Sequence, residues 1–139
     1  MIDLKNGSIY SDDNILLAFK GIQKKDLEML YRIYPHHESN TFVTLQNVKF
    51  MSRICTISYL ITTDNTSDIS IRFTKNIYNH VKSLYDISKE MLKKIHEIDC
   101  KIVNDITGTP TESVYNWGSI NPIYNTRSWD SYILIRYNK

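Results

Sequence analysis

The stretch His96-Glu97-Ile98-Asp99-Cys100 lies one substitution from a zinc-hydrolase pattern. In that pattern two imidazoles four residues apart on a helix hold the metal, and the glutamate between them is the general base. Cys100 stands where the second imidazole would be, and a thiolate also binds zinc. No third ligand lies near in sequence, so the expectation is a surface histidine, a half-buried cysteine and no metal. Pro35-His36-His37-Glu38 places two adjacent imidazoles in a polar turn, where solvated side chains are expected. Thr107-Gly108-Thr109-Pro110-Thr111-Glu112-Ser113 is rich in hydroxyls. A phosphate cradle places its glycines before a helix, and here they follow one. Gly-x-Ser-x-Gly and the dinucleotide-binding glycine fingerprint are both absent. Catalysis would need residues such as His36, His80, His96 and Glu97 to converge in the fold. The chain therefore leans away from an enzyme, and no cofactor is expected.

The C-terminal third carries the strongest binding signal. Trp117, Tyr124, Arg127, Trp129 and Arg136 mix the aromatic and guanidinium side chains enriched at binding hot spots. With Tyr115, Tyr132 and Tyr137 nearby, the same set can stack bases and touch phosphates. The competing expectation is that both tryptophans are core.

The elements that must position these residues follow from periodicity. Asn6-Gly7 suggests a short hairpin between Ile2-Asp3-Leu4-Lys5 and Ser8-Ile9-Tyr10. Ser11-Asp12-Asp13 resembles a helix start, with Ile15, Leu16, Phe19 and Ile22 on one face and Gly21 as the stop. A second helix over residues 24–34 sets Leu27, Leu30, Tyr31 and Tyr34 at helical spacing before Pro35 ends it. Three strands are expected at residues 41–46, 54–61 and 68–73, joined as an antiparallel meander. Residues 75–104 read as one long amphipathic helix, with Ile77, Val81, Leu84, Met91, Ile95, Ile98 and Ile102 as its stripe. Tyr78, Tyr85 and Leu92 widen that face. Residues 114–125 read as a structured loop, and residues 131–137 as a final strand burying Ile133, Ile135 and Tyr137 on one face, or Tyr132 and Leu134 on the other. The fold class expected is α+β in a single domain over residues 1–139. It has two N-terminal helices, an antiparallel sheet of about four strands, one long helix packed on that sheet, and a C-terminal strand.

Residues 27–35, Leu-Glu-Met-Leu-Tyr-Arg-Ile-Tyr-Pro, resemble the end of the first helix of RWD domains, the non-catalytic relatives of ubiquitin-conjugating enzymes. That resemblance covers nine residues and implies the order helix, meander, helix. The Tyr-Pro…Pro turn that follows the meander in that family is missing after Phe73.

Composition bounds the function. The chain of 139 residues carries a net charge of +2, too mild to mark a nucleic-acid partner. Cys55 and Cys100 do not form a disulfide framework and read as reduced thiols of a cytoplasmic protein. No apolar run is long enough to span a bilayer, so no membrane partner is expected. Abundant Ile, Asn, Lys and Tyr beside a single alanine point to an A/T-rich genome: a low-GC bacterium, a phage, a large DNA virus or a protist. The leading expectation is a non-enzymatic interaction module that binds another protein, as monomer or homodimer. A single-stranded nucleic-acid or nucleotide binder is the alternative, and an enzyme the third reading.

Overall fold

The computed structural model describes residues 1–62, 66–73, 89–128 and 130–138. Two short strands, β1 (Ile9–Tyr10) and β2 (Leu16–Ala18), come first. A 3₁₀ turn (Lys24–Leu27) runs into the single helical turn α1 (Glu28–Tyr31). Strands β3 (His36–Glu38), β4 (Phe42–Phe50), β5 (Arg53–Ile61) and β6 (Thr66–Arg72) follow, then helix α2 (Lys89–Thr107). Strands β7 (Ser113–Tyr115), β8 (Gly118–Asn125) and β9 (Asp130–Tyr137) close the order.

The expected α+β arrangement of two N-terminal helices and about four strands is overturned. The molecule is built on a seven-stranded antiparallel sheet, ordered β3-β4-β5-β6-β9-β8-β7, with β1-β2 as a separate two-stranded ribbon. Three local causes account for the difference. First, Ser11 accepts hydrogen bonds from the amides of Asp13 and Ile15, as a helix cap would. The chain instead enters the left-handed region at Asn14 (φ 62°) and the Ser11 amide bonds the Ile15 carbonyl. That closes a turn, and β2 folds back on β1. Second, β4 outruns its apparent alternation. Val43 and Leu45 are buried at odd positions, Val48 and Phe50 at even ones. A bulge between Leu45 and Val48, with Asn47 at φ 59°, inserts the residue that resets the count. Third, the expected loop over residues 114–125 is the β7–β8 hairpin. Gly118 is needed there because a Cβ would collide with the Arg136 carbonyl of β9. Pro122 is tolerated because β7 pairs only as far as Ile120, leaving the proline beyond its end.

The second expected helix shrinks to the 3₁₀ turn and α1, although Leu27, Leu30 and Tyr34 do face the core. The helix–meander–helix order implied by the RWD resemblance leaves out four of the seven strands of the sheet: β3, β7, β8 and β9. Of the long helix, residues 75–88 lie outside the described residues, and with them Ile77, Val81, Leu84, Tyr78 and Tyr85.

One face of the sheet carries the core: Val43, Leu45, Ile57, Tyr59, Ile69, Ile71, Ile120, Ile133, Ile135 and Tyr137. The N-terminal ribbon and α1 pack on this face near β5, where the Tyr59 hydroxyl donates to the Leu17 carbonyl at 2.8 Å. Helix α2 packs on the same face over β8 and β9. Leu92, Ile95, Ile102 and Val103 are buried there. At the centre of that stripe sits Asp99, also fully buried. Met91 and Ile98, expected in the stripe, flank it half-buried. No helix among the described residues is long and apolar enough to cross a membrane, a statement that leaves β-barrels aside.

Candidate functional site

Of the expected C-terminal binding set, the described members Trp117, Tyr124, Arg127 and Arg136 do not share one surface. Trp117 is buried with its indole stacked on Tyr115, ring centroids 5.2 Å apart, and its Nε1 donating to the Leu4 carbonyl at 2.9 Å. The Tyr137 hydroxyl donates to the Gly7 carbonyl at 2.8 Å. These aromatics clasp the N-terminal segment to the end of the sheet, so Trp117 takes its core reading. Arg136 is held by both carboxylate oxygens of Asp68, each at 3.1 Å. Tyr124 faces the helix side of the sheet and stacks on His96, whereas Arg136 lies on the opposite face beside Ser119 and Asp68. Arg127 is exposed in the β8–β9 turn, its amide bonded to Asn125 Oδ1 at 3.0 Å. Trp129 lies outside the described residues.

Arg72 is paired as well, bidentate to Asp130 at 3.1 and 2.7 Å, and it lies 4.4 Å from the Tyr132 ring. Both sheet arginines on that face are thus neutralised by aspartates. The face offers little free positive charge to a phosphate backbone.

Beneath α2 lies a polar cluster that periodicity hid. The Ser131 hydroxyl donates to Asp99 Oδ2 at 2.7 Å, and Asp99 Oδ1 has no hydrogen-bond partner among the described residues. Burial is the main cause that pushes the Asp99 carboxyl up to about 7; the Ser131 hydrogen bond opposes it, Asp130 adds to it and Arg72 opposes it. One turn away, His96 Nε2 lies 3.4 Å from Cys100 Sγ. Burial lowers the imidazole from its ordinary value, against Glu97, and raises the thiol, aided by Asp99 and Glu97. Both shifts favour the neutral pair, a thiol beside an imidazole, over the thiolate–imidazolium pair. Ser131 is fully buried, which keeps its hydroxyl from any substrate. Among the described residues no group of three His, Cys, Asp or Glu side chains converges. His36 and His37 are exposed on edge strand β3, and His80 lies outside the described residues.

The surface feature with the clearest binding character lies at the other end of the sheet. Ile15, Leu16 and Phe19 form one wall of a groove of about 360 Å³, and Met29, Leu30 and Ile33 form the other. Ile22 joins the lining, with Lys25 and Asp26 as its charged residues. Leu16 is 42 % exposed, Met29 78 % and Ile33 51 %. Single exposed apolar side chains are ordinary, but large ones gathered around one concavity mark an interaction surface. Local structure produces this exposure. In a strand, Leu16 and Leu17 must point to opposite sides, and Leu17 takes the core. Across the 3₁₀ turn and α1, Leu27 and Leu30 face inward, which turns Met29 outward, and Ile33, in the turn after α1, is exposed four residues on. That interval was the available signal, since the expected second helix assigned its inner stripe and left Met29 and Ile33 with no partner.

Set against known proteins, the chain matches no family model, and no curated protein or solved structure is significantly similar to it.

Proposed function

We propose that this chain is a non-enzymatic interaction module that binds another protein through the groove between β2 and α1. One observation carries the reading: Leu16, Met29 and Ile33 stand exposed around an apolar concavity of about 360 Å³. The His96–Cys100 pair, biased toward its neutral form, and the sealed Ser131 offer no activated nucleophile, which favours binding over catalysis. A cytoplasmic setting fits the two free cysteines, one of them buried. The codon bias behind the composition favours an accessory protein of a virus, a phage or a low-GC bacterium.

Co-purification from the native cell tests the reading. Wild type is expected to retain a discrete protein in stoichiometric amount, and Met29→Glu/Ile33→Glu is expected to lose it. An identical set of proteins on both baits would overturn it. Both positions are exposed, so the double variant is expected to fold, with stability within about 0.5 kcal/mol per site.

A further inference from the structure

We infer that the groove receives the apolar face of an amphipathic helix whose flank is acidic where it passes Lys25. The inference rests on the groove being a protein-docking site, and it names the class of partner.

The backbone of the groove wall argues for a helix over an extended strand. A peptide that adds to a sheet edge needs unpaired carbonyls and amides. The carbonyls along this wall are already engaged. That of Ile15 accepts from the Ser11 amide, that of Leu17 from the Tyr59 hydroxyl, and that of Phe19 from the Ile22 amide. Leu16 and Ala18 pair with β1. What remains for a partner is side-chain surface, and that suits knobs projecting from a helix. Across the groove, Met29 on α1 and Ile33 in the turn that follows stand four residues apart on the same wall, a spacing of about 6 Å at helical rise. Apolar side chains at i, i+3, i+4 and i+7 of a partner helix match that interval.

Charge sets the flank. Lys20, Lys24, Lys25 and Arg32 surround the groove in sequence, against Asp26 and Glu28. The ion pairs among the described residues involve only Arg72 and Arg136, so none of these four cations has a salt-bridge partner there. The Asp26 carboxylate is turned back to accept the Gln23 amide at 2.8 Å, capping the 3₁₀ turn. Among the described residues, Lys25 is thus the lining charge with no hydrogen-bond or ion-pair partner, and although Asp26 keeps its own charge the four cations outnumber the two carboxylates around the groove. An acidic flank would gain from it and a basic flank would be repelled, which gives orientation more than affinity.

The test is selection of displayed random peptides of about 16 residues, long enough for four helical turns, against the full chain. Enriched sequences are expected to carry apolar residues at helical spacing with Asp or Glu beside them. Measured by fluorescence anisotropy, they should bind at least about tenfold more weakly to Met29→Glu, a cost of about 1.4 kcal/mol. Lys25→Glu should reverse the preference between Glu-flanked and Lys-flanked versions. Enrichment of extended, proline-punctuated sequences, no enrichment at all, or equal binding to Met29→Glu would overturn the inference. If those results came while Met29→Glu/Ile33→Glu still lost its native partner, the helix class would fall and the docking site would stand. If the native partner were also retained, both would fall.

Discussion

Ser131 holds Asp99 by a 2.7 Å hydrogen bond to Oδ2 and leaves Oδ1 unpartnered among the described residues, inside the contact between α2 and β9. A carboxyl group thus sits among the buried apolar side chains Leu92, Ile95, Ile102 and Val103 of the helix. His96, one turn before it, stacks on Tyr124, the residue opposite Ser131 across β8 and β9. The helix is docked through groups that are most stable uncharged.

This arrangement makes stability depend on pH. The folded carboxyl titrates near 7, above its ordinary value of 3.8. Its stabilising share is therefore whole below about pH 4 and is lost as pH rises through 7. Three units correspond to a cost on the order of 4 kcal/mol at pH 8. An asparagine in its place would carry no charge but would leave an amide donor unpaired, at about 1–3 kcal/mol. Asp99→Asn is accordingly expected to be more stable than wild type by about 1–3 kcal/mol at pH 8, with the difference reversing to a loss of about 1–3 kcal/mol toward pH 4, where the carboxyl is protonated in both states. His96 titrates in the opposite sense, since its lowered value costs stability as pH falls below the ordinary histidine range. Urea unfolding of both proteins across pH 4–9 isolates the Asp99 share, because His96 is common to them. A gain that is constant with pH would show that Asp99 is not the titrating group.

Trp117 and Gly7 form a tight contact that fastens the N-terminal segment. A Cβ at position 7 would lie 2.5 Å from the indole ring, at a backbone φ of 79°. Gly7→Ala is expected to cost about 2–4 kcal/mol, from overpacking plus left-handed strain. Trp117→Phe keeps most of the ring but loses the bond to Leu4, for about 1–2 kcal/mol. Thermal unfolding checks both, and a Gly7→Ala protein as stable as wild type would contradict the packing described.

The β4–β5 hairpin turns on Met51 and Ser52, both in the left-handed region at φ 53° and 63°. Two-residue turns of this kind prefer Asn-Gly. The strained pair is held from outside by Asp12, whose Oδ2 accepts the Ser52 amide at 2.9 Å. Ser52→Gly is expected to stabilise by about 0.5–1 kcal/mol, whereas Asp12→Ala should destabilise by about 1 kcal/mol. Chemical denaturation would reveal a reversed order if the turn were unstrained.

The competing nucleic-acid reading requires free cations on one surface. Arg72 and Arg136 are committed to Asp130 and Asp68. The β6–β9 face is therefore expected to add nothing to oligonucleotide binding, and the lysines elsewhere, none in an ion pair among the described residues, are expected to give no more than non-specific affinity, about 10⁻⁶–10⁻⁴ M at physiological salt. Submicromolar binding in anisotropy, falling steeply with salt, would reinstate that reading.

How far the amino-acid sequence can be read depends on the kind of interaction at each position. Alternation in β5, β6 and β9 is legible because Ile57, Ile69, Ile71, Ile133 and Ile135 are buried by pleat geometry alone. The first expected helix fails because the Ser11 hydroxyl serves a turn and a helix cap alike, and only the left-handed Asn14 separates them. β4 runs past its apparent end since a bulge at Asn47 reverses the buried parity. The C-terminal set misleads because aromatic and arginine side chains suit a clasp and an ion pair as well as a binding surface. Trp117 and Arg136 go to those structural uses. The groove stays hidden because Leu16 counts as core in a helix and as surface in a strand.

The central question is whether the β2–α1 groove is where this chain meets another protein. Photocrosslinking in the native cell is the most direct measurement. A photoreactive residue replaces Met29 in one protein and Asn104, exposed on α2, in another. The prediction is a discrete heterologous adduct from position 29 that disappears with Leu16→Glu and does not form from position 104. The contrary result is no adduct from position 29, the same adducts from both positions, or an adduct only with a second copy of the chain.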